Sequence, residues 1–137
     1  LETCLESLAA QRAMFPELAA VILDNGSPTP LHERLGPWRD WTTVIRYERA
    51  ASPAETHNRG LAAARSEYGA THALVLNDDT RVGDTMLSTL LAVSEAHPHS
   101  LSTPLQLSYE EPYVIDAGVI DSLFSARALV HDVLLNR

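Results

Sequence analysis

Asn77, Asp78, Asp79 and Thr80 stand directly behind the apolar run Thr71-His72-Ala73-Leu74-Val75-Leu76. Two adjacent acids repel one another unless a cation or solvent compensates. Carboxylate and amide oxygens are hard ligands of the kind Mg²⁺ and Mn²⁺ take, above all when a substrate phosphate completes the shell. The same residue types also make ordinary solvated turns, so both readings stand at this point. A further acid, Asp24, follows the aliphatic run from Leu18 to Leu23 and opens Asn25-Gly26-Ser27. Ligands of open parallel sheets gather beyond the carboxyl ends of the strands, which would put Asp24, Asp78 and Asp79 on one rim. There Asp24 could accept from a nucleobase or a ribose; alternatively it bonds its own backbone in an Asx turn. Asn58 is the remaining candidate. It lies three residues before Leu61 and four after Ala54, which predicts a place on the sheet-facing stripe of a helix. A buried amide needs partners, supplied by a ligand, a neighbouring loop or its own backbone.

The elements that must position these residues alternate. Leu1, Leu5, Leu8 and Ala9 have helical spacing, so a helix over roughly 1–14 is expected, without an N-cap. A strand over 18–23 runs into an open loop, because Pro28 and Pro30 prevent a returning central strand despite the Asn25-Gly26 hairpin signal. Thr42, Val44, Ile45 and Tyr47 predict a strand over 41–47. Ser52-Pro53-Ala54-Glu55 is a helix start with Ser as cap, and Gly69 is the stop. Gly60 inside this helix costs roughly 1 kcal/mol relative to Ala, which hints at close packing against the sheet. A strand over 71–76 follows, then a helix over roughly 84–97 with Leu87, Leu90, Leu91 and Ser94 inward and Pro98 ending it. Residues 101–107 and 113–120 are expected as strands around the acidic turn Glu110-Glu111-Pro112. Strand and helix alternating up to Pro98 predict an α/β fold with a mainly parallel sheet.

The chain has 137 residues, 45% hydrophobic and 20% charged, the composition of one soluble globular domain. Its net charge of −8 argues against a nucleic-acid surface, which needs a basic stripe. A local phosphate site remains compatible, with Arg59, Arg65 and Arg81 near the segments of interest. The single cysteine, Cys4, excludes an intrachain disulfide and sits among leucines as a small core residue. No membrane span or signal peptide is visible, so a cytoplasmic location is expected. Attachment at the inner face of the membrane is also compatible.

Four segments in order, Cys4-Leu5-Glu6-Ser7-Leu8-Ala9-Ala10-Gln11, Val21-Ile22-Leu23-Asp24-Asn25-Gly26-Ser27, Asn58-Arg59-Gly60-Leu61 and Leu74-Val75-Leu76-Asn77-Asp78-Asp79-Thr80, resemble the family 2 glycosyltransferases. The nearest branch is the rhamnosyltransferase and galactofuranosyltransferase type, and Ala117-Gly118 resembles a segment found further along in it. The resemblance implies a Rossmann-like GT-A domain that binds a UDP- or dTDP-linked sugar with Mg²⁺ or Mn²⁺. It also implies transfer of that sugar to a glycan or lipid-linked acceptor, as in cell-wall or polysaccharide biosynthesis. By the same resemblance Asp24 contacts the nucleotide base and Asn58 lies beside the nucleotide pocket. Asn77-Asp78-Asp79 takes the DxD position, with Asp78 near the ribose or diphosphate and Asp79 as metal ligand. Asn77 stands where many relatives have Asp.

Two parts of the family pattern have no counterpart here. One is a central strand ending near Tyr-Asn-Arg, ahead of the first helix; the other is the acceptor half with its acidic general base. Glu110 and Glu111 read as a solvated turn beside Ser108 and Pro112, so no catalytic base is named. The run Ala128-Leu129-Val130-His131-Asp132-Val133-Leu134-Leu135-Asn136-Arg137 could supply the central strand as in a circular permutation. It could equally be a C-terminal helix or the start of an acceptor region, and a partner chain or oligomer could complete the sheet instead. Two other functions compete: a non-catalytic nucleotide-sugar-binding or assembly module, and an unrelated phosphotransfer domain such as a receiver. The absence of any lysine in the sequence argues against the receiver.

Overall fold

The structure, a computed structural model, describes residues 1–98, 100–109, 114–116, 119–122 and 125–130, the last three stretches by backbone alone. Two units make up the chain, Leu1–Asp84 and Thr85–Arg137.

In the first unit, helix α1 (Glu2–Gln11) buries Cys4, Leu5, Leu8 and Gln11, a single helical stripe. Leu1 at its start makes no side-chain cap, as the sequence predicts. Beyond its end, Arg12 donates to the carbonyls of Leu18 at 3.1 Å and Pro16 at 3.0 Å, and its guanidinium lies 5.3 Å from the Trp41 ring centre. That side chain pins the entry to strand β1 (Ala20–Asp24). Strand β2 (Thr42–Arg46) pairs parallel with β1, from Ala20 opposite Thr42 to Asp24 opposite Arg46. A parallel pair needs a long crossover. Here it carries two short 3-10 turns, Leu31–Glu33 and Gly36–Trp41, and buries Leu35 and Trp41.

Helix α2 (Pro53–Tyr68) begins and ends where the local signals place it. The Ser52 hydroxyl accepts from the Glu55 N–H at 3.3 Å, and Gly69 closes the helix at φ 63°. The face turned inward is Thr56, Gly60 and Ala63, with Thr56 satisfied by donating to the Pro53 carbonyl at 2.8 Å. A Cβ on Gly60 would come within 2.9 Å of Leu23 Cδ2, which is the close approach to the sheet that a glycine permits. Asn58 is therefore not on the sheet-facing stripe as expected. It is exposed, because Ala54 and Leu61, which defined that stripe, are themselves exposed.

The expected strand over 71–76 also differs. This run forms neither helix nor ladder, and Ala73–Leu76 make no hydrogen bond to any described residue. Leu74 and Val75 are 37% and 50% exposed. Its composition suits a strand, but a strand exists only against a neighbour, and none of the described residues pairs with it.

In the second unit, helix α3 (Met86–Ala96) ends before Pro98. Leu87, Leu90, Leu91 and Ser94 are half-buried, as their spacing predicts. Strands β3 (Gln106–Leu107) and β4 (Val114–Asp116) pair antiparallel, as do β5 (Val119–Ser122) and β6 (Ser125–Val130). Ala128–Val130, the start of the 128–137 run, belong to β6, beside β5. The rest of that run, the turn at Glu110-Glu111-Pro112, and Ala117-Gly118 lie outside the described residues. Among the described residues no helix is long and apolar enough to cross a membrane. The fold is thus a mixture of helix and strand with a parallel pair in the first unit, compatible with the α/β class.

Candidate functional site

Asp24 is the most buried of the candidate residues, 1% exposed. Its Oδ1 accepts from the Ser27 N–H at 2.9 Å and its Oδ2 from the Leu31 N–H at 3.5 Å. Arg46, its register partner on β2, forms an ion pair with Oδ2 and donates its other terminal nitrogen to the Ser27 carbonyl at 2.8 Å. Burial pushes the carboxyl upward, but hydrogen bonds from Ser27, Arg46 and Leu31 outweigh it and hold the group at about 2, below the usual 3.8. The carboxylate therefore organises the loop after β1, in the manner of an Asx turn with a cation added.

The neighbouring loop is fixed by Asn25. Its amide donates to the Ala51 carbonyl at 3.0 Å and accepts from the Ala51 N–H at 2.7 Å. A side chain thus imitates one rung of a ladder and ties the β1 loop to the chain just ahead of α2. Gly26, at φ 88°, gives the turn its left-handed residue. Tyr47 is buried, and its hydroxyl has no hydrogen-bond partner among the described residues. The Arg59 guanidinium lies 4.9 Å from its ring centre although Glu55, four residues earlier, is the favourable helical partner for an arginine.

Asn77, Asp78 and Asp79 are exposed. The turn closes with the Thr80 N–H donating to the Asn77 carbonyl at 3.3 Å and the Thr80 hydroxyl donating to the same oxygen at 2.7 Å. Neither acid is in an ion pair among the described residues. No cluster of three or more His, Cys, Asp or Glu able to hold a metal occurs among them. A divalent ion at Asp78 and Asp79 would take most of its ligands from water and a bound phosphate, the usual way Mg²⁺ is held. Free carboxylates at a turn fit that role.

The segment behind the turn is held by helix α1. Cys4 Sγ lies 3.8 Å from Thr80 Oγ1, the Ser7 hydroxyl accepts from the Val82 N–H at 3.0 Å, and Gln11 donates to the Gly83 carbonyl at 3.5 Å. Ser7 and Arg46 are the residues that the sequence alone did not single out. The signal for Arg46 is its register opposite Asp24, which becomes legible only once the two strands are paired.

No hydrogen bond or ion pair among the described residues links Asp24, Asn58 and the Asn77–Asp79 turn to one another. A shallow hollow between the carboxyl half of α2 and Thr71–Ala73 is lined by Leu61, Ala64, Arg65 and His72 among others, and by none of the five candidates. No family model, curated protein or solved structure matches the chain.

Proposed function

We propose that this chain is the donor-binding part of a metal-dependent glycosyltransferase of the GT-A type, taking a UDP- or dTDP-linked sugar. The observation that carries the reading is the loop at the carboxyl end of β1. Asp24 is buried, ionised and locked to Arg46 on the parallel neighbour, where ligands of α/β sheets collect. Support comes also from the order of the four sequence segments and from the acids at 78 and 79, which are exposed and in no ion pair among the described residues.

In this reading the Leu31 N–H, whose 3.5 Å contact to Oδ2 is the longest Asp24 makes, gives way to the base or ribose, while Arg46 stays on that same oxygen and Ser27 on the other. Asn58, exposed on α2, borders the nucleotide. Asn77 and Asp78 face the ribose or diphosphate, and Asp79 ligates Mg²⁺ or Mn²⁺. Bound there, the ion would neutralise charge that builds on the leaving diphosphate as the glycosidic bond breaks. The acceptor is a glycan or lipid-linked sugar. A non-catalytic nucleotide-sugar-binding module is the second reading, since Asp78 and Asp79 would hold a donor in either case.

Calorimetry with UDP and dTDP, with and without MnCl₂, tests the donor site. Metal-dependent binding that Asp79→Ala abolishes is expected; affinity unchanged in that variant removes the metal role. A transfer or donor-hydrolysis assay on the pure chain then separates the enzyme, which turns over, from the module, which only binds.

A further inference from the structure

Among the described residues nothing pairs with Ala73–Leu76, on the amino side of the Asn77–Thr80 turn. The contacts that the described residues make to this segment lie on its other side. There α1 presents Cys4, Ser7 and Gln11, one turn apart each, to Thr80, Val82 and Gly83 in the same order. Val82 is 3% exposed and Cys4 and Gln11 are 4% and 5%, while Ser7 and Thr80 are half-buried.

The proton directions close without conflict. The single hydroxyl proton of Ser7 goes to the Cys4 carbonyl at 2.8 Å, the back-bond a helical serine commonly makes. Its oxygen is then free to accept the Val82 N–H at 3.0 Å. The Thr80 hydroxyl spends its proton on the Asn77 carbonyl, so the Cys4 thiol is the donor to Thr80 Oγ1. Two runs of bonds thus leave α1: one from the Cys4 carbonyl through Ser7 to the Val82 amide, the other from the Cys4 thiol through Thr80 to the Asn77 carbonyl.

We infer that α1 is the element that sets the acid turn, and that Ser7 is a positioning residue for Asp78 and Asp79. The inference rests on the donor-phosphate reading of those acids. Ser7 touches no ligand; it acts through Val82, and Cys4 acts through Thr80. Without Ser7 the Val82 amide would be left buried and unpaired, and the turn would be held by the weak thiol contact and the long Gln11 bond alone.

The test combines amide hydrogen exchange on the full chain with calorimetry of UDP in MnCl₂. In Ser7→Ala, exchange at Val82 and across Asn77–Thr80 rises about fivefold, the worth of one net hydrogen bond, while α2 amides keep their rates. UDP with Mn²⁺ binds this variant about fivefold more weakly. Ser7→Thr, which keeps the hydroxyl, restores both. Unchanged exchange overturns the inference, and so does faster exchange with undiminished Mn²⁺-dependent affinity. If the wild-type chain binds no UDP with Mn²⁺, the donor-site reading falls and the positioning role with it, while exchange still shows whether α1 holds the turn. Should Ser7→Ala fail to fold, Ser7→Cys, whose thiol is a weaker acceptor for the Val82 N–H, is measured the same way and carries the same expectations.

Discussion

Gly60 on α2 lies directly over Leu23 of β1, so close that a Cβ would meet Leu23 Cδ2 at 2.9 Å and Cγ at 3.6 Å. Helix propensity alone favours alanine at position 60 by about 1 kcal/mol. The contact is with the end of a flexible side chain, so Leu23 can rotate away at a cost of similar size. Gly60→Ala is therefore expected to change stability by less than about 1 kcal/mol, whereas in a Leu23→Ala background it stabilises by the full ~1 kcal/mol. Urea denaturation of the four proteins measures the coupling. An equal gain in both backgrounds would show that Leu23 does not oppose the alanine.

Asp24 links stability to acid. Its carboxyl sits at about 2 in the folded chain against a usual 3.8, so the folded state binds its proton less readily than the unfolded state. The stabilisation is fully present above about pH 4 and is lost as pH falls toward 2, amounting to roughly 2 kcal/mol. Asp24→Asn should be less stable than wild type at neutral pH, because Arg46 loses its ionised partner, and its stability should fall less steeply between pH 4 and 2. Equal slopes for the two proteins would place the ionised group elsewhere.

Tyr47→Phe tests the orphaned hydroxyl. A buried O–H without a partner costs about 1–3 kcal/mol of desolvation, and its removal leaves the ring and the Arg59 stacking in place. The variant is expected to be as stable as wild type or up to about 1 kcal/mol more stable. A loss above about 1 kcal/mol in thermal or urea unfolding would reveal a bond that the hydroxyl makes in solution.

Asn25→Ala removes both bonds to Ala51. Both groups are exposed, so water replaces much of what is lost and the cost is about 1 kcal/mol. The stronger effect is local: the Ala51 amide should exchange about tenfold faster while β1 and β2 amides hold their rates. Unaltered exchange at Ala51 would mean that the two loops are held together by other contacts.

Features with a purely local cause were legible in the sequence. Ser52, Pro53 and Glu55 specify the start of α2 and Gly69 its end, because caps are settled within a turn of chain. The aliphatic runs that became β1 and β2 were equally plain. Asn58 lies off the inner face because Ala54 and Leu61, whose spacing marks that face in the sequence, are themselves exposed. The true face uses Thr56, whose hydroxyl bonds back to Pro53, and Gly60, which has no side chain for a hydrophobicity pattern to register. The Thr71–Leu76 strand failed for another reason: composition states what could pair, and pairing requires a second strand. At the candidate site, Asp24 was found by its place after an aliphatic run, but Arg46 and Ser7 act through contacts across 22 and 75 positions. No spacing rule reaches that far.

The run Ala73–Leu76 carries a colloidal consequence. Its four aliphatic residues pair with none of the described residues, so another extended chain could add there, and no charged side chain within the run guards it. What keeps copies apart is long-range repulsion from a net charge of −8. That repulsion vanishes near the isoelectric point of about 5.1 and is screened within about 10 Å at 0.1 M salt. Solubility is therefore a property of buffer rather than of fold here: light scattering should grow as pH approaches 5 or as salt is added, and a single lysine at Val75 should suppress it.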